Sequence, residues 1–129
     1  MNRVLFKSSS DNWKTPKEFY QALDAEFRFT HDPCPFRSVQ NNLDEEWGER
    51  NFINPPYSQI EKWVKKAFQE YQKGRLCVML IPSRTDTRWW HDYVMKASEI
   101  RFVKGRLRFS GAKHNAPFPS AIIVFKPEV

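Results

Sequence analysis

The stretch NFINPPYSQIEKWVKKAFQEYQKGRLCVMLIP, residues 51–82, decides the fold class of this 129-residue chain. It opens with a short apolar strand, Phe52-Ile53, and closes with the apolar run 76–81, which is typical of a strand buried on both faces. Between them, apolar residues recur at helical spacing over residues 60–71, and Gly74 ends that helix. A strand, a helix and a second strand in so short a stretch predict a right-handed βαβ unit.

The N-terminal side of this unit predicts an arm, a helix and a short strand. Residues 1–11, which contain a run of serines, are expected to form the arm. Thr15-Pro16-Lys17-Glu18 is typical of a helix start, in which the threonine caps the free amides and the glutamate completes a capping box. Residues 28–32 then predict a short strand, which nearby prolines end.

The C-terminal side adds a helix and two strands. The helix is expected over residues 87–97, with Trp89 and Trp90 in the core. Residues 101–109 and 121–125 are expected to form strands around a loop, as an antiparallel pair at the edge of the sheet. The sequence therefore predicts an α/β fold with a mostly parallel sheet, an antiparallel edge and flanking helices, in a single domain over residues 12–129.

Composition and spacing exclude several classes of protein. Hydrophobic residues make up 40% of the chain, enough for one core, so disorder is not expected. No signal-peptide pattern follows Met1, and no apolar run approaches the roughly 18 residues of a membrane span, so we expect a cytoplasmic protein without a membrane partner. Cys34 and Cys77 lie in different segments and are expected to be reduced thiols. Neither they nor the three histidines have the spacing of a metal site, and we expect no metal.

Basic residues are concentrated late in the chain. The net charge is +6 and the isoelectric point is about 9.5, which favours a polyanionic partner because lysine and arginine release condensed counterions at phosphates. Residues 101–113 contain five basic side chains, and Arg84 and Arg88 precede them. We expect phosphate contacts from this region, which would position a duplex without reading its sequence. The alternative is that the stretch is only a solvated strand edge.

The tetrapeptide Asn54-Pro55-Pro56-Tyr57 is the most informative motif. It follows a buried strand and precedes a helix, so it lies at the carboxyl edge of the sheet, where open α/β folds bind ligands. The Asn54 side-chain oxygen and the Pro55 carbonyl could accept the two hydrogens of a conjugated amine such as adenine N6 and free its lone pair. The two prolines would fix both acceptors in advance, and Tyr57 would stack on a flipped base. The alternative is a purely structural strand-to-helix turn.

With these segments in order, the sequence resembles the phage-type DNA N6-adenine methyltransferase family, the small Dam-like enzymes. The similarity runs from about Asn12 to Lys126 and depends on the set of segments and their spacing more than on any single motif. The residues that carry it are Trp13-Lys14-Thr15-Pro16, Asp32-Pro33-Cys34, Phe52 to Ser58, Trp63, Lys66-Ala67, Leu80 to Thr87, Trp90, Gly105 to Phe109 and Pro119-Ser120.

The resemblance implies a compact, truncated Rossmann-like methyltransferase fold, S-adenosylmethionine as methyl donor and double-stranded DNA as partner. The implied catalytic residues are Asn54, Pro55, Pro56 and Tyr57. The cofactor-binding candidates are Trp13, Thr15, Pro16, Asp32, Pro33, Cys34, Asp44 and Asn54. The DNA-binding candidates are Arg84, Thr85, Asp86, Arg88, Arg106, Arg108 and Lys113. A cytoplasmic protein of a bacterial host, encoded by a phage or prophage and linked to restriction-modification, is implied as well, as a monomer or a homodimer.

Three other functions stay open at this point. Cytosine N4, RNA and protein glutamine also present a conjugated amine that the same pocket could methylate. Residues 32–42 contain no glycine, although larger amino-methyltransferases have a glycine-rich cofactor loop here, and this favours a catalytically inactive DNA-binding relative. The third alternative is an interaction module in which the prolines are structural.

Overall fold

The structure is a computed structural model that describes residues 13–35 and 42–128. These residues contain four strands and three α-helices. The strands are β1 (Arg50–Ile53), β2 (Leu76–Pro82), β3 (Glu99–Phe102) and β4 (Ser120–Phe125). The helices are α1 (Lys17–Phe27), α2 (Ile60–Gln72) and α3 (Arg88–Asp92), with 3-10 turns at Tyr57–Gln59 and Val94–Lys96. The predicted arm, residues 1–11, and residues 36–41 of the glycine-free segment lie outside the described residues.

The strands form one open sheet in the order β1-β2-β4-β3. β1 and β2 are parallel, with Ile53 opposite Met79, and α2 connects them, which confirms the βαβ unit. β4 runs antiparallel to both β2 and β3, so the prediction of a mostly parallel sheet is wrong and the sheet is mixed. The reason is topological: the chain leaves a gap between the parallel strands β2 and β3, and it turns back after β3 to fill that gap with β4.

Two other predicted strands are shorter than expected. The strand over residues 28–32 reduces to a parallel bridge between His31 and Asn51 at the outer edge of β1. The strand predicted over residues 101–109 ends at Phe102, because Gly105 adopts a left-handed φ of 72° that interrupts extended backbone. The antiparallel pair at the sheet edge, β3 with β4, is confirmed.

Alternate residues of the strands build a core on each face of the sheet. On one face, side chains such as Ile53 and Met79 pack against α2 and α3, where Trp89 and Trp90 are buried as predicted. On the other face, side chains such as Phe52 and Leu80 pack against α1 and against the loop before β4. The sheet is therefore covered on both sides, which explains why every residue of β2 and β4 is buried.

Most of the segments with predicted functional residues meet at one edge of the sheet. β1, β2 and β3 run in the same direction, so the turns after Ile53, Pro82 and Phe102 leave from the same edge. The turn after His31 leaves from there too, because its bridge to β1 is parallel. β4 begins at this edge, with Ser120 opposite Pro82. Ligands of open α/β sheets bind at such a carboxyl edge.

A buried carboxylate secures the loop that leads into β1. Glu70, near the end of α2, has no exposed surface, and it accepts hydrogen bonds from Lys66 at 2.8 Å, from Arg75 and from the Trp47 backbone N–H at 3.1 Å. The Trp47 ring stacks on Trp63 of α2. These bonds hold the pKa of Glu70 at about 2, below its ordinary value, although burial opposes the shift.

Candidate active site

A cavity of about 560 Å³ opens at the carboxyl edge, on the face of the sheet covered by α1. This volume lies in the range of small-molecule sites. The lining residues are Trp13, Lys14, Thr15, Lys17, Tyr20, Asp32, Cys34, Pro35, Phe52, Asn54 and Ser110. The cavity thus brings together five residues predicted to bind a cofactor, namely Trp13, Thr15, Asp32, Cys34 and Asn54.

Asn54, directly after β1, is held through its whole side-chain amide. Its Nδ2 donates to the main-chain carbonyl of Trp13 and to the Thr15 hydroxyl, the latter at 3.0 Å. Its Oδ1 accepts a hydrogen bond from the Tyr57 hydroxyl at 3.3 Å. With two lone pairs on Oδ1 and one bond from Tyr57, the oxygen can accept one more hydrogen at the cavity wall.

The Thr15 contact corrects a prediction about α1. The threonine does not cap this helix, which begins at Lys17 with Pro16 in the capping position and no side-chain cap. The Thr15 hydroxyl is engaged by Asn54 instead. The expected capping box is therefore wrong, because a partner 39 residues away in sequence takes the hydroxyl.

Tyr57 is half-buried behind Asn54, and its ring meets the edge of Phe118 at 5.4 Å between centroids. Burial raises the pKa of Tyr57 well above its ordinary value, so the hydroxyl stays protonated and donates to Asn54. Phe118 also packs edge-on against Trp13, at 5.4 Å. Tyr57, Phe118 and Trp13 therefore form an aromatic cluster next to the Asn54 side chain.

The acidic side of the cavity is formed by Asp32. Its carboxylate accepts a hydrogen bond from the Cys34 backbone N–H at 2.9 Å, which closes a tight turn. Partial withdrawal from water raises the pKa of Asp32, while the bond from Cys34 and the nearby His31 oppose the shift. Burial also raises the pKa of Tyr20, and the negative charges of Asp24 and Asp32 add to the shift.

Other predicted site residues lie around this cavity without lining it. Pro55 is buried and Pro56 half-buried in the turn after Asn54. Pro33 is buried, and its carbonyl accepts a hydrogen bond from the Asn42 amide. Asp44 is exposed in the turn before β1 and does not line the cavity, so its role stays a prediction.

The candidate DNA-binding side chains belong to two segments that leave the sheet at the same edge. The residues concerned are all exposed: Arg84, Thr85, Asp86, Arg88, Arg106, Arg108 and Lys113. The first four follow β2, and the other three belong to the loop 103–119 between β3 and β4. Arg101 differs from the rest of the basic stretch, because it pairs with Glu26 at 2.7 Å and with Glu99 at 2.8 Å. A phosphate role is therefore not expected of Arg101.

Several lining residues were not predicted from the sequence. Lys17 and Tyr20 are three residues apart on α1 and reach the cavity from the same face of that helix, a spacing the sequence did offer. Ser110 reaches it from the loop 103–119, which no sequence pattern indicated. The cavity therefore carries two lysines, Lys14 and Lys17, besides the acidic Asp32.

Residues 13–35 and 42–128 contain no group of three or more histidine, cysteine, aspartate or glutamate side chains arranged to hold a metal ion. None of the helices in these ranges has the length and apolar composition needed to cross a membrane.

Comparison with known proteins identifies the family. The DNA N-6-adenine-methyltransferase (Dam) family matches residues 3–127. A DNA N-6-adenine-methyltransferase of Escherichia phage T1 is 27% identical in an alignment that covers 75% of this chain and 46% of that protein, so the chain spans about half the length of this relative. No solved structure matches the chain. The family match covers nearly the whole sequence and confirms the resemblance seen in its motifs: the chain belongs to the DNA N-6-adenine-methyltransferase (Dam) family.

Proposed function

We propose that this chain methylates the N6 amino group of adenine in double-stranded DNA, with S-adenosylmethionine as the methyl donor. The observation that carries the proposal is the Asn54 amide at the cavity wall, whose N–H groups are both engaged while its oxygen, with one bond from Tyr57, can accept one more hydrogen. Family membership supports the reaction, and the phage T1 relative bears the name of this activity.

The proposed chemistry depends on two acceptors after β1. The Asn54 oxygen and the Pro55 carbonyl accept the hydrogens of the adenine amine, which localises the nitrogen lone pair and makes it nucleophilic. When bound, S-adenosylmethionine supplies a methyl group on a sulfonium: the N–C bond forms as the S–C bond breaks, and one amino proton is lost to water. Acceptors fixed before substrate arrives stabilise the developing positive charge without reorganisation.

The cavity fits such a donor by its charges as well as its size. The methionine end of S-adenosylmethionine carries an ammonium and a carboxylate, and the cavity offers Asp32 to the first and Lys17 to the second. A bound cation also favours the charged form of Asp32, whose pKa burial raises. The apolar part of the lining, which includes Trp13 and Phe52, suits the adenosine end.

The target base would reach this site by flipping out of the duplex, because its amine is inaccessible in the stacked helix. Tyr57 would stack on the flipped base, while the exposed arginines of residues 84–88 and 106–108 hold the phosphates on either side. The parallel β1–β2 pair, the crossovers through α2 and α3, and a cavity at the carboxyl edge support a compact, truncated Rossmann-like methyltransferase fold.

The donor site can be tested by calorimetry with two probes, S-adenosylhomocysteine and 5′-methylthioadenosine, which lacks the amino acid end. We expect Asp32→Asn to weaken binding of the first about tenfold or more and leave the second within about twofold, since a charged hydrogen bond contributes about 1.5–3 kcal/mol. Equal losses for both probes would contradict the role given to Asp32.

A substrate panel separates the activities that could use this pocket. The protein is incubated with labelled S-adenosylmethionine and with unmodified DNA, RNA or a glutamine-containing protein, and we expect label in DNA alone. Label in RNA or in protein would show that the substrate is not DNA and would overturn this part of the proposal. A folded protein that binds neither probe and labels nothing would support the inactive DNA-binding relative, which the glycine-free segment 32–42 favours.

A further inference from the structure

We propose that Thr15 is a positioning residue that orients Asn54 for methyl transfer, an inference that rests on the function proposed above. The sequence predicted Thr15 as a helix cap and, through the family resemblance, as a cofactor-binding residue. Its hydroxyl instead accepts a hydrogen bond from Asn54 Nδ2 at 3.0 Å, beside the bond that the same nitrogen makes to the Trp13 carbonyl. Together these two acceptors engage both N–H groups of the amide.

The Trp13 carbonyl decides which way the Asn54 amide faces. A main-chain carbonyl can only accept a hydrogen bond, so the amide atom beside it is the nitrogen. The amide oxygen must then lie on the other side, where the Tyr57 hydroxyl donates to it at 3.3 Å. The orientation that the reaction needs, with an acceptor facing the reacting amine, therefore follows from the contacts of the nitrogen.

The Thr15 hydroxyl adds to this orientation in two ways. It satisfies the second N–H, which would otherwise be left without a protein acceptor at a partly buried position. Donation by both N–H groups also polarises the amide and strengthens its oxygen as an acceptor, because linked hydrogen bonds reinforce one another. Thr15 therefore acts on the reaction through Asn54 and needs no contact with the substrate.

The segment that carries Thr15 is itself fixed by the loop 103–119. The Ser110 hydroxyl donates to the Thr15 carbonyl at 3.2 Å, and the Ser110 N–H donates to the Lys14 carbonyl at 2.9 Å. The Trp13 ring packs against Phe109 and Phe118 at 5.3 and 5.4 Å. The acceptors for the Asn54 amide are thus held in place from a second element of the fold.

The test compares Thr15→Val, which keeps the shape but loses the acceptor, with Thr15→Ser, which keeps the acceptor. Thr30→Val is the matched control, because its hydroxyl also makes two hydrogen bonds, both to the Arg50 backbone and away from the cavity. Single-turnover methyl transfer to DNA is measured at saturating S-adenosylmethionine, and the affinity for S-adenosylhomocysteine is measured separately. The side-chain amide resonances of Asn54 give a readout that does not depend on activity.

In Thr15→Val we expect the transfer rate to fall about three- to tenfold, the equivalent of one net hydrogen bond, with the affinity unchanged within about twofold. Thr15→Ser should restore the rate, and one Asn54 amide proton should shift in the valine variant alone. A wild-type rate in Thr15→Val, or a loss confined to S-adenosylhomocysteine affinity, would overturn the positioning role while leaving the proposed function standing. Absence of any transfer by the wild-type protein would overturn both the positioning role and the proposed function. The Asn54 resonances would still report whether the Thr15–Asn54 hydrogen bond exists.

Discussion

Replacing Glu70 by glutamine removes the charge from a buried side chain that is paired with the cations of Lys66 and Arg75. The Glu70 side chain has no exposed surface, whereas Lys66 and Arg75 remain 12% and 24% exposed and can reach water when the carboxylate is lost. The substitution keeps the shape and one acceptor oxygen for the Trp47 N–H. The experiment therefore isolates the ionic part of this cluster.

The size of the effect follows from the pKa of Glu70, which is about 2 in the folded chain against an ordinary value of 4.5. At about 1.36 kcal/mol for each pKa unit, ionised Glu70 contributes about 3 kcal/mol at neutral pH. Because the folded pKa is the lower one, this contribution is complete above about pH 5 and is lost as the pH falls toward 2. About half of it remains near pH 3.

Urea unfolding of wild type and Glu70→Gln at pH 7 and pH 3 tests this reasoning. We expect Glu70→Gln to be less stable by about 3 kcal/mol at pH 7 and by about half of that at pH 3. Glu45→Gln is the control, because Glu45 is exposed in the turn before β1, and it should change the free energy of unfolding by less than about 0.5 kcal/mol. A difference between wild type and Glu70→Gln that is the same at both pH values would refute the ionic contribution.

Three further predictions concern the site. Asn54→Ala should keep the fold and S-adenosylhomocysteine binding but slow single-turnover transfer about 10²–10³-fold, as expected for the loss of one aimed hydrogen-bonding group, and near-normal turnover would remove Asn54 from the chemistry. Tyr57→Phe should keep most of kcat/KM for DNA, whereas Tyr57→Ala should lose the equivalent of about 1–3 kcal/mol of base stacking; equal losses would argue against stacking by the ring. Replacing both Arg106 and Arg108 by glutamate should weaken DNA binding. If each arginine contacts one phosphate, the slope of log K against log salt concentration should fall by about 1.8 in magnitude. Lys126→Glu is the control, because Lys126 is exposed just beyond the opposite end of β4, and it should leave the slope unchanged.

Local patterns in the sequence predicted the part of the fold that local interactions build. The βαβ unit of residues 51–82 is confirmed because strand burial, helical spacing and the glycine after α2 all act within one continuous stretch. The insertion of β4 between β2 and β3 was not predicted, since it depends on pairing between segments far apart in sequence. Glu70 was missed although a signal existed: it lies three residues after the buried Ala67, on the apolar face of α2.

The candidate site shows the same contrast between contacts within one segment, which the sequence predicted, and contacts between distant segments, which it did not. The strand-to-helix motif identified Asn54 and Tyr57 as neighbours, and their side chains are hydrogen bonded. The contacts that complete the site join Asn54 to Trp13 and Thr15 across about 40 residues, and no spacing rule links such positions. Thr15 also belongs to a helix-start pattern, which predicted that its hydroxyl caps α1. The hydroxyl accepts a hydrogen bond from Asn54 instead, because capping and the distant contact compete for the same group.

The proposed reaction can be tested by identifying the nucleoside that this protein modifies. Purified protein is incubated with labelled S-adenosylmethionine and unmodified double-stranded DNA, the DNA is digested, and the nucleosides are resolved by mass spectrometry. We expect N6-methyl-2′-deoxyadenosine as the labelled product, formed about 10²–10³-fold more slowly when Asn54→Ala replaces the wild-type protein. Label in N4-methylcytosine, or no label from a protein that binds S-adenosylhomocysteine, would contradict the proposed reaction.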